Sequence, residues 1–98
     1  MGFTAQADQL HDQLLDNEDV QVNRYSYPAG SESGFHEHQF PARVVYVLKG
    51  GKLRLVNDDG SSRDIDVKEG MTLYVPAQHH NVINIGDSEV QLLEVEIK

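Results

Sequence analysis

The chain has 98 residues, with 16 acidic against 8 basic side chains and a formal charge of −8. That length supports one core and one domain, 1–98, and the acidic balance makes nucleic acid and anionic membrane surfaces poor partners. Without cysteine there is no disulfide framework, thiolate nucleophile or cysteine-based zinc site; no apolar run approaches a membrane span and "MGFTAQADQL" lacks a secretory pattern, so a cytoplasmic protein is expected.

Ala7, Leu10 and Leu14 sit at helical spacing and admit a short N-terminal helix, although "QLLDNEDV" reads equally as a strand, a turn and the next strand. From residue 20 onward the pattern is short strands with turn punctuation. "VQVNRYSY" (20–27) alternates Val20, Val22, Arg24 and Ser26 against Gln21, Asn23, Tyr25 and Tyr27, then meets "PAG". "RVVYVL" (43–48) is rich in β-branched and aromatic residues and stops at Gly50-Gly51. "KLRLV" (52–56) puts Leu53 and Leu55 on one face, "NDDG" (57–60) reads as a hairpin turn, and "RDIDV" (63–67) turns Ile65 and Val67 inward. "MTLYV" (71–75) ends at Pro76, "HNVINI" (80–85) ends at Gly86, and "VQLLEVEI" (90–97) closes the chain. About seven strands at this spacing indicate an all-β sandwich or barrel. Gly50, Gly60, Gly70 and Gly86 fall at turns, where positive φ costs glycine nothing.

Four of the five histidines, His36, His38, His79 and His80, form two pairs in this β region. On a strand His36 and His38 face the same way, which suits two imidazoles gripping one ion at about 2.0–2.2 Å. A third ligand comes from His79 or His80; adjacent strand residues face opposite ways, so only one of them reaches the ion. The plain alternative is a polar outer strand face and a loop. His11 reads as a solvated residue. "NDDGSSRDID" lacks the spacing of a calcium loop and reads as a wet hairpin.

The larger spacing resembles a known family. "GSESGFHEHQFPARVVYVLKG" is similar to the first cupin motif, G-x5-H-x-H-x3-4-E-x6-G, through Gly30, His36, His38 and Gly50, across about 30–50. "GMTLYVPAQHHNVIN" is similar to the second, G-x5-P-x-G-x2-H-x3-N, through Gly70, Pro76, His80 and Asn84, across about 70–84. The resemblance implies a single-domain jelly-roll β-barrel of two antiparallel sheets. It implies a divalent transition metal (Fe, Mn, Ni or Zn) on His36, His38 and His80, with His80 preferred because Asn84 then keeps its spacing. It also implies a homodimer, for which Leu14 and Leu15 are candidate contacts.

Two departures shape the functional expectation. Arg43 stands where the family has a glutamate, and Gln78 stands where a glycine is usual, in a loop one residue short. Three neutral ligands leave open positions for water or substrate and favour an anionic partner. Gln39 or Gln78 could add a weak oxygen ligand, and Glu37 could orient a histidine. Arg43 then either anchors a substrate carboxylate or phosphate inside the barrel, or, shifted by Pro41, reaches the rim and pairs with an acid. Among the tyrosines, Tyr74 is the candidate to offer a hydroxyl to the cavity. The expected function is a small metal-dependent enzyme (dioxygenase, isomerase or lyase) acting on a small anionic organic molecule. The alternatives are a non-catalytic metal- or ligand-binding module, or sensor, and a barrel whose site has decayed.

Overall fold

The structure, a computed structural model, describes residues 10–34, 36–37, 40–76 and 79–98. Nine strands occupy them: β1 His11–Asp16, β2 Val20–Tyr27, β3 His36–Glu37, β4 Ala42–Lys49, β5 Gly51–Asn57, β6 Ser62–Val67, β7 Thr72–Pro76, β8 His79–Asn84 and β9 Val90–Ile97. They form a five-stranded sheet, β1-β2-β9-β4-β7, and a four-stranded sheet, β3-β8-β5-β6. The ladders are antiparallel throughout, as in a two-sheet jelly roll. Among the described residues no helix is long and apolar enough to cross a membrane.

The short N-terminal helix needs correction. From His11 the chain is a strand, paired to β2 with Gln13 opposite Asn23 and Leu15 opposite Val22, and a bulge falls between Gln13 and Leu15. Ladder pairing with an eight-residue neighbour outweighs three apolar residues at helical spacing. Ala7 lies outside the described residues.

The turns follow from their residues. β5 and β6 are joined through Asn57–Gly60, closed by Gly60 N–H donating to the Asn57 carbonyl at 3.0 Å, with Gly60 at φ 85°. Gly50 is different from a positive-φ turn glycine: a Cβ there would lie 2.4 Å from the Val67 carbonyl oxygen. Its role is to let the β4–β5 corner pass close to β6.

The core is built from both sheets, with Val45, Val47, Leu92 and Val90 from one and Leu53, Val67 and Val82 from the other. Towards one end the inner face of the larger sheet turns polar. Asn23, Arg43, Glu94 and Glu96 are all buried. The outer face of the same sheet carries an apolar row, Leu15, Val22, Val95, Val44, Tyr74, across all five strands. The polar inner end is where β4 begins, β7 ends and β8 begins, so Arg43, Val75 and His80 meet there.

Candidate functional site

β8 carries the site and is laced in place by the segment before β3. Ser33 N–H donates to the Val82 carbonyl at 2.8 Å, and Val82 N–H donates to Ser33 Oγ at 3.0 Å. Asn84, fully buried, donates through Nδ2 to the carbonyls of Tyr27 and Ser88, both at 2.8 Å, and accepts from Gly86 N–H at 3.0 Å. These bonds set the register in which His36 lies opposite His80, and Glu37 opposite His79. Positions 36 and 80 therefore share one face of the smaller sheet. His80 is 2% exposed and lines the barrel cavity.

Arg43 opens β4 and faces inward, 5% exposed. Its Nε lies 2.9 Å from Glu94 Oε1 in an ion pair. The alignment falls short of a directed hydrogen bond, so charge attraction holds the pair. Nη2 lies 3.5 Å from His80 Nε2, and Nη1 makes no hydrogen bond. Glu96 is Arg43's direct partner across β9 and is buried too. Two carboxylates thus face one guanidinium in a region where unbalanced charge is costly.

A hydrogen-bonded polar network borders these carboxylates. His11 Nε2 and Asn23 Oδ1 are 2.7 Å apart, Asn23 Nδ2 donates to Gln21 Oε1 at 3.1 Å, and the His11 ring stacks on Tyr25 with centroids 4.7 Å apart. His11 is thus a packed, hydrogen-bonded residue and not a solvated one. Burial, and after it the charges of Glu94 and Glu96, raise the Tyr25 phenol; burial, then Glu94, raises Tyr27. Both hydroxyls stay protonated at neutral pH, so they can donate hydrogen bonds but not act as bases.

The cavity between the sheets measures about 290 Å³. Its floor is apolar, formed by Val47, Leu53, Val67 and Leu92, and its other end holds Arg43, His80, Glu94 and Arg63. It reaches the surface at the edge strands β6 and β7, where Tyr74 is 70% exposed. Tyr74, on the outward side of β7, borders the cavity only at this open rim, whereas Tyr27 lines it from within.

Of the residues expected from sequence, Arg43 and His80 come together inside the cavity, Tyr74 stands exposed at its rim, and position 36 lies across from His80. Arg43 combines parts of both readings: it is inside the barrel, and it pairs with an acid there. His38, Gln39 and Gln78 lie outside the described residues. Among the described residues no group of three or more metal-binding side chains is assembled. Glu94, Glu96 and Arg63 were not singled out from sequence. The available signal was phase: Glu94 and Glu96 share the alternation of Val90 and Leu92, which are buried.

The family model described as a cupin domain matches residues 23–96. The chain is 35% identical over 85 residues to the β-alanine degradation protein BauB of Pseudomonas aeruginosa, covering 86% of this chain and 87% of that one. It is 30% identical over 67 residues to an uncharacterized protein of Methanocaldococcus jannaschii, covering 67% of this chain and spanning 50% of that relative's length. The crystal structure of a cupin domain from Bordetella pertussis superposes with a TM-score of 0.83 at 35% identity, covering 90% of this chain and 91% of the other.

Proposed function

The chain belongs to the cupin family, and from that footing we propose that it is a small metal-dependent enzyme acting on a small anionic organic molecule held in the barrel cavity. The ion, Fe, Mn, Ni or Zn, is assigned to His36, His38 and His80. The observation that carries this reading is His80, buried at the polar end of a cavity and directly across the ladder from position 36.

The donor set fits such an ion. Imidazole nitrogens suit these metals. Glu94 and Glu96 match the charges of Arg43 and Arg63 at this end, so no excess of positive charge opposes a cation beside His80 although position 43 lacks a carboxylate. When bound, the ion supplies Lewis-acid polarisation or an oxygen-binding centre. The chain's own contribution is positioning. Arg43, held by Glu94, offers Nη1 to an acceptor oxygen of the ligand. The neighbouring Tyr25 phenol stays protonated beside the carboxylates. The apolar floor keeps water from the ligand's body. The lack of cysteine suits the reducing cytoplasm. The apolar row on the outer face of the larger sheet supports a homodimer.

The test is metal content of protein from metal-replete cells, followed by oxygen uptake and product analysis with a panel of small organic acids. Stoichiometric metal that His80→Ala removes, together with turnover, is the expected result. Stabilisation by metal and acids without turnover would mark a binding module. Metal-free protein would end the reading.

A further inference from the structure

The cavity is sharply two-sided, and that asymmetry specifies what fits it. Its floor is made by Val47, Leu53, Val67 and Leu92. A space of about 290 Å³ against apolar walls gains nothing from polar occupants and leaves the wall atoms without contacts when unfilled. A short, fully polar molecule would satisfy only the opposite end.

That opposite end carries two guanidinium groups on facing sheets. Arg43, on β4, spends Nε on Glu94 and keeps Nη1 without a hydrogen bond. Arg63 is the second residue of the edge strand β6 and occupies the same face of the strand as Ile65 and Val67. Its cross-strand neighbour is Leu55, which offers no charge. The neighbouring cations are already taken up: Arg54 forms two hydrogen bonds to Asp64, at 2.8 and 3.1 Å, and Lys52 lies 3.8 Å from Asp66. Arg63 has no ion-pair partner among the described residues.

We propose that the cavity binds a monocarboxylate with an apolar body, the body seated on the Val47–Leu53–Val67–Leu92 floor and the carboxylate held between Arg43 and Arg63. Arg63 is the specificity-determining residue for the acid group. The assignment rests on the reading above only in taking this cavity as the ligand site. It separates this chain's ligand from short polar amino acids such as β-alanine, whose ammonium group would fall on the apolar floor at a desolvation cost.

The probes are 3-phenylpropionate, its neutral amide, propionate and β-alanine, titrated by calorimetry and amide-shift NMR against the full chain. Relative to propionate, 3-phenylpropionate is expected to bind at least about tenfold more tightly. Arg63→Gln is expected to weaken the acid about fivefold and leave the amide unchanged. Ile65→Trp, which narrows the cavity from its open edge, should weaken acid and amide alike while metal uptake persists. Three results would each overturn the proposal: no binding of 3-phenylpropionate, β-alanine binding as tightly as 3-phenylpropionate, or an acid-to-amide ratio unmoved by Arg63→Gln. Stoichiometric metal on the histidines together with any of these would leave the metal reading standing. Binding as expected in a protein that takes no metal would sink the metal reading alone.

Discussion

At the scale of single residues, three buried side chains, Asn84 and the Arg43–Glu94 pair, carry more of the architecture than their polarity suggests. Asn84 ties the end of β2 to the turn after β8 through three hydrogen bonds. Asn84→Ala leaves the buried Tyr27 carbonyl and the part-buried Ser88 carbonyl without that donor. It is expected to cost about 3 kcal/mol in urea unfolding, with loss of metal affinity following because β8 loses its register. Arg43 and Glu94 form the second case, with side chains 6% and 8% exposed. Arg43→Met removes the guanidinium that pairs with Glu94 and is expected to cost about 3–5 kcal/mol in metal-free protein, while Arg43→Met with Glu94→Leu recovers part of it. Equal losses in the single and double variants would contradict the pairing.

At the scale of elements, β2 and the strands from β4 to β9 were legible because β-branched runs and Gly/Pro/Asn punctuation report directly on ladders, whereas the two-residue β3 carries no such run. What was hidden is which face of β2 and β9 points inward. Local hydrophobicity puts Val20, Val22 and Val95 inside, yet Asn23, Glu94 and Glu96 are buried. Inward polarity at one end of a barrel is a property of the site, and a single strand's composition cannot report a site assembled from several strands. His36 and His80 were legible through spacing, whereas Arg63 became legible only when β6 proved to edge the cavity. The tyrosines of β2 carry a test of this inversion. Their phenols are raised above the ordinary tyrosine value of about 10, chiefly by burial. The unfolded chain therefore releases protons near pH 10 that the folded chain keeps. Stability present below about pH 10 is expected to fall as pH rises beyond it. Tyr25→Phe and Tyr27→Phe should flatten that alkaline slope in denaturant titrations at pH 9 to 11; an unchanged slope would place the phenols in water.

At the scale of the molecule, the larger sheet has two working faces. Inside it holds the polar end of the cavity. Outside it presents the row from Leu15 through Val95 to Tyr74, with Leu15 50% and Tyr74 70% exposed. An apolar row that crosses all five strands calls for a cover, and a second copy is the occupant we propose. Sedimentation should give twice the 11.0 kDa chain mass. Val95→Glu should give the chain mass with the β-rich circular dichroism retained; a wild-type monomer would remove the dimer. The metal site remains the claim on which the enzymatic reading depends, and anomalous diffraction from metal-loaded crystals, recorded at the absorption edge, reaches it most directly. The account expects one anomalous peak at the polar end of the cavity, about 2.0–2.2 Å from an imidazole nitrogen of each of His36, His38 and His80. A peak elsewhere, or one that His80 does not touch, would contradict it.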